Sequence, residues 1–209
     1  MPHHHDRPVK ILALETSSAA ASVAVALNGS IAAGRSFDAP RGRGAEVFAL
    51  LEEMRPTWRG LDRLAIGLGP GSYNGLRVAC AVAGSFELAL GIDIVTVPSP
   101  CLIETGEPHY FATGDARGER VYWAEVRERQ LCGEIQLLGH AEMLEKAGTA
   151  TAPVYRVGPV SSAEHLPVAV PRADVLARIA SSLPAADPHN LEPIYLKPPH
   201  ITTPRARRP

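Results

Sequence analysis

VKILALETSSAAASVAVALNGSIAAGRSF, residues 9–37, is the stretch on which the fold turns. Two compact apolar runs, 9–14 and 21–27, are separated by Glu15-Thr16-Ser17-Ser18 and small residues, the pattern of two strands joined by a hairpin. Asn28-Gly29 is a two-residue turn signal, because both positions tolerate positive φ, so residues 30–37 return as a third antiparallel strand. The chain therefore opens on a three-stranded meander.

Downstream, the period changes from two to 3.6. Over residues 45–54 a helical face collects Val47, Phe48, Leu51 and Met54, widened by Leu50, with Glu46, Glu52 and Glu53 elsewhere. Residues 61–68 read as a strand ending in Gly69-Pro70-Gly71-Ser72. Residues 73–90 read as a long helix stopped by Gly91, and 92–97 as the next strand. Three strands, helix, strand, helix, strand make a mixed sheet whose later strands run parallel through crossover helices. From Tyr110 the pattern begins again, with strands expected at 110–113, 120–126 and 131–138, then a strand at 154–157 and a helix at 173–183. An acidic residue closes the leading strand of each half, Glu15 and Asp115. The repeat lies in element order rather than in letters. The expected division is a disordered segment at 1–8, a first subdomain at 9–98, a second and shortened one at 99–196, and a basic flexible tail at 197–209.

Composition narrows the function classes. With 21 Lys and Arg against 22 Asp and Glu, the 209-residue chain has no global basic surface for gripping nucleic acid, so any RNA role is expected to be indirect. Only the tail, with Arg205, Arg207 and Arg208, is locally basic. Cys80, Cys101 and Cys132 are odd in number and far apart, without a CxxC pair, which fits a reducing cytoplasm. The start carries His3, His4 and His5 but no apolar run, and no stretch is long enough to span a bilayer. His109, His140, His165, His189 and His200 lack any spacing that sets two ligands on one helical face, so no metal is expected.

Duplicated halves of this type meet at a cleft, where turns after the leading strands hold phosphates if glycine lets backbone amides come close. The first turn here, residues 15–21, contains no glycine, which disfavours phosphate gripping. The glycine-rich run 67–77, GLGPGSYNGLR, is neither a P-loop nor a dinucleotide fingerprint. Its Ser72 or Asn74 suits a helix cap, and both a structural turn and an anion-attracting ligand site stay open. Ser17 and Ser72 lack a nucleophile elbow. The candidate cleft residues are Glu15, Thr16, Ser17, Gly69, Gly71, Ser72 and Asp115, with Glu15 and Asp115 available for acid-base or metal-positioning work in an enzymatic reading. The helix at 73–90 spreads Val78, Ala79, Val82, Ala83, Phe86 and Leu90 around much of its circumference. Its small residues Ala79, Ala83 and Gly84 permit close helix approach. Together with Val47, Phe48, Leu51 and Met54 this predicts a helical partner interface.

Four stretches carry a family resemblance: Ile11-Leu12-Ala13-Leu14-Glu15-Thr16-Ser17, the run 67–77, Asp115-Ala116-Arg117 with Val121-Tyr122-Trp123, and Glu192-Pro193-Ile194-Tyr195-Leu196-Lys197. In that order, across nearly the whole chain, they resemble the TsaB (YeaZ-like) family. The resemblance implies an α/β actin-like (ASKHA) duplicated ribonuclease-H-like fold with two mixed-sheet subdomains. It also implies a non-catalytic, cofactor-free subunit that heterodimerises with the catalytic paralogue TsaD, assembles with the ATPase TsaE and homodimerises through the same helical surface. The complex transfers a threonylcarbamoyl group from an adenylate to the adenosine next to the anticodon in tRNAs reading codons that start with A. Tyr73-Asn74 stands where the family usually has phenylalanine-threonine, and Gly44-Ala45-Glu46 where it often has histidine-serine-glutamate.

Overall fold

The computed structural model describes residues 8–38 and 44–197. The histidine run, residues 1–7 of the segment expected to be disordered over 1–8, and the tail beyond Lys197 lie outside the described residues.

Strands β1 (Lys10–Glu15), β2 (Ala20–Leu27) and β3 (Ser30–Asp38) form the expected meander. Asn28 and Gly29 both adopt positive φ, at 49° and 77°, closing the β2–β3 turn as the dipeptide required. Helix α1 (Gly44–Glu53) and the short α2 (Arg55–Trp58) lead into β4 (Arg63–Gly67). Helix α3 (Tyr73–Leu90) then leads into β5 (Asp93–Val97). The sheet order is β3-β2-β1-β4-β5, with β4 and β5 parallel to β1 and the meander antiparallel. Helix α3 begins and ends where the sequence punctuates it. The Ser72 hydroxyl accepts from Gly75 N–H at 3.3 Å, and Gly91 takes the left-handed conformation, donating its N–H to Glu87.

The second half repeats the plan. β6 (His109–Asp115) pairs antiparallel with β7 (Arg120–Arg127), and β10 (Val154–Val157) runs parallel to β6, as β4 does to β1. The strand expected over 131–138 is broken in two, β8 (Gln130–Leu131) and β9 (Gln136–Gly139), both on β7. Gly133, at φ 82°, lies between them. Helix α4 (His140–Thr149) was not expected: Met143 is its one fully buried residue, so its apolar stripe is too thin to read. Helix α5 (Ala173–Ile179) is four residues shorter at its end than the 173–183 expectation.

Alternation along the first sheet sorts its two faces by size. Leu12, Leu14, Val23, Val25, Leu64, Ile66 and Ile94 face α1 and α3. Ile11, Ala13, Ala24, Ala26, Ala65 and Val95 face the opposite way, against Ala173, Leu176, Ala177 and Ala180 of the α5 region. Alanine faces alanine here, so α5 lies close against the sheet. The same core includes Tyr110, Ala112, Tyr122, Ala124 and Val126 of the second sheet, so the two halves share it. Polar ties cross the boundary near residue 98. Ala173 N–H donates to the Ser22 hydroxyl at 2.9 Å, Arg63 donates to the carbonyls of Ala180 and Leu183, and Ala186 N–H donates to Ile94.

Candidate functional site

A cleft of about 640 Å³ opens between the halves. Ser17, Gly71 and Ser72 line it from the first half, Asp115 and Tyr122 from the second, and residues 194–197 from the C-terminal segment. The structure thus brings four of the seven candidate cleft residues to one surface. Glu15, Thr16 and Gly69 lie beneath it, buried.

Glu15 sits at the end of β1, 0 % exposed. Its Oε1 accepts from Ser17 N–H at 2.6 Å and its Oε2 from the Ser99 hydroxyl at 2.9 Å. Ser99 in turn accepts from Gly69 N–H at 2.9 Å. The carboxyl is consumed in holding the first turn to the glycine turn and to the segment after β5. Burial raises its pKa above the ordinary value of 4.5, against the opposing pull of those hydrogen bonds. Burial, helped by the nearby Glu15, also pushes the Tyr122 phenol well up. Asp115, by contrast, is exposed, and its Oδ1 accepts from Arg117 N–H at 2.8 Å within the β6–β7 turn. The two acids occupy opposite environments, one sealed and one solvated. Ser99 and Tyr122 were missed as site residues, since Ser99 meets Glu15 across 84 residues of sequence.

The glycine-rich run resolves into a packing surface. A Cβ at Gly67 would be driven into the Glu15 carboxylate, one at Gly71 into the Ser17 carbonyl, and one at Gly75 into the Thr16 carbonyl. Thr16 donates its hydroxyl to the Gly75 carbonyl at 2.8 Å, and Ser72 N–H donates to the Ser17 carbonyl at 2.7 Å. These glycines let strand β1's turn and the start of α3 touch backbone to backbone.

The expected partner interface needs correction. Val47, Leu51, Met54, Ala79, Val82 and Ala83 are buried in the chain's own core, under the large-aliphatic face of the first sheet. The small residues Ala79 and Ala83 therefore pack inward and are not available to a second helical pair. Val78 and Phe86 are half-buried, and Phe86 lies 5.2 Å from the Trp58 ring. Of the nine, only Phe48 is well exposed, at 54 %. The exposed apolar surface of α3 is carried instead by Leu88 at 86 % and Leu90 at 53 %, with Ala81 and Ser85 also outward. Periodicity showed a wide apolar circumference without showing which arc the sheet would take.

Among the described residues no group of three or more His, Cys, Asp and Glu could hold a metal ion, and no helix is long and apolar enough to cross a membrane.

A ribonuclease-H-like sheet, its partial repeat, and a cleft between them define an actin-like α/β protein. A family model described as "TsaD: tRNA N6-adenosine threonylcarbamoyltransferase" matches residues 45–180. An uncharacterised protein of Mycobacterium tuberculosis H37Rv is 32 % identical over 161 residues, 73 % of this chain and 72 % of that one. The tRNA threonylcarbamoyladenosine biosynthesis protein TsaB of Escherichia coli is 30 % identical over 131 residues, 57 % of this chain and 55 % of that one. Among solved structures, YeaZ from Pseudomonas aeruginosa superposes with a TM-score of 0.68 at 25 % identity, covering 90 % of this chain and all of that one. The chain belongs to the TsaB (YeaZ) family.

Proposed function

We propose that this chain is a non-catalytic subunit required for threonylcarbamoylation of the adenosine next to the anticodon in tRNAs reading codons that start with A. It acts by heterodimerising with a TsaD-like catalytic paralogue, alongside a TsaE-like ATPase, and reaches tRNA through that complex in the cytoplasm. The observation that carries this reading is the state of Glu15. A carboxylate that positions a metal or a water for nucleotide chemistry must reach the cleft, whereas this group is fully buried and hydrogen-bonded at both oxygens, by Ser17 and Ser99. The outward arc of α1 and α3, with Phe48 and Leu88, supports a helical docking surface for the paralogue, or for a second copy when the paralogue is absent.

Reconstitution tests it. The chain alone is expected neither to hydrolyse ATP nor to modify tRNA, and adding it to TsaD and TsaE homologues with threonylcarbamoyl adenylate and tRNA restores modification. Equal modification with the chain omitted sinks the proposal. Solvated Asp115, in the cleft near the start of α3, favours a second reading as an actin-like nucleotide-binding phosphotransferase or hydrolase. That reading requires magnesium and ATP to raise the melting temperature of the isolated chain, and Asp115→Ala to abolish the rise.

A further inference from the structure

The C-terminal segment is placed where neither half of the repeat requires it. After the turn at Pro188–Asn190, Leu191 packs on the first half's core, and Ile194 N–H donates to the Leu68 carbonyl at 2.8 Å, at the head of the glycine turn. Tyr195 stacks on Tyr73 at the first turn of α3 with ring centroids 5.2 Å apart, and the Arg77 guanidinium lies over the Tyr73 ring. Leu196 packs against the shared core, and the Lys197 ammonium donates to the Arg117 carbonyl in the β6–β7 turn. Ile194 and Tyr195 thus touch the first of the turns that face the cleft, and Lys197 touches the second.

The second of those turns needs holding. Arg117, Gly118 and Glu119 are three successive residues at positive φ, 61°, 58° and 58°, and two of them carry side chains that disfavour that region. From within, the turn is held by Asp115 accepting from Arg117 N–H and by Ala116 N–H donating to the Arg120 carbonyl. From outside, Lys197 is the residue among the described ones that donates a hydrogen bond to it.

We propose that residues 192–197 form a strap that fastens the glycine turn of one half to the β6–β7 turn of the other, holding the two cleft-lining turns at a fixed spacing. Because the shared core lies beneath, release of the strap loosens the turns rather than separating the halves.

The test is amide hydrogen exchange on the full chain, comparing wild type with Lys197→Met, which keeps the stem and removes the ammonium, and with a Tyr195→Ala/Lys197→Met double variant. Exchange over residues 116–119 is expected to rise about tenfold in the single variant, and over 69–75 as well in the double, with β9 and α4 unchanged. Fluorescence of anilinonaphthalene sulfonate, an anionic apolar probe, is expected to increase as the turns lining the cleft loosen, with near-UV circular dichroism retained. Unchanged exchange at both turns overturns the proposal. So does an equal acceleration throughout the chain, which would make the segment a general stabiliser. If the double variant does not fold, Lys197→Met decides the matter at residues 116–119.

Discussion

Glu15 closes the leading strand, where the sequence leaves acid-base work open only as an alternative reading, and it is structural in the fold. Its carboxyl, desolvated by complete burial, keeps its proton at pH values where the unfolded chain has released it. The folded state then binds more protons than the unfolded one, so this group's contribution to stability is complete below about pH 4.5 and declines as pH rises toward the raised folded value. Glu15→Gln keeps the shape and removes the titration. It is expected to flatten that part of the pH dependence, so that the variant gains on wild type as pH rises above about 4.5 in urea unfolding. An unaltered slope would show that Glu15 does not carry it. Gly75→Ala tests the other side of the same contact. The added methyl meets the Thr16 carbonyl, and the expected loss is about 1–3 kcal/mol, read as a lower urea midpoint at unchanged slope.

Helix α3 was legible in almost every respect except orientation. Its start at Ser72, its left-handed stop at Gly91 and its length follow from local rules, because capping and φ preferences act within a few residues. Which arc faces the sheet depends on β4 and β5, which the helix meets only after folding. Two substitutions separate the inward arc from the outward one. Ala83→Glu forces a charge and extra volume into a fully buried site and is expected to cost at least about 3 kcal/mol, leaving little folded protein. Leu88→Asp, at an exposed site, is expected to change stability by less than about 0.5 kcal/mol while weakening self-association and paralogue binding in sedimentation. Full association by a folded Leu88→Asp chain would place the docking surface elsewhere. Helix α4 illustrates the opposite case, an element too polar to announce itself and fixed by Met143 packing beside Val121, Trp123 and Leu138.

At the scale of the molecule, two halves read from the sequence as successive units are joined through one core. Helix α5, late in the chain, covers the alanine face of the first sheet, and Tyr110 and Tyr122 of the second sheet close the same cluster. A fragment of residues 1–98 would expose that face to water. It is expected to show no cooperative thermal transition and to aggregate, and to regain a transition only when supplied with residues 99–209. Cooperative unfolding by the fragment alone would mean that the halves are independent.

The amino-acid sequence by itself determined the meander, the crossover helices, their caps, the Asn28-Gly29 turn and the order of the repeat, since each rests on period, turn chemistry or capping within a few residues. Tertiary structure decided what became of the side chains. Burial requires partners from distant parts of the chain, and only their meeting hid Glu15 beneath Ser99, turned Ala83 inward, left Leu88 in water and laid residues 194–197 along the cleft.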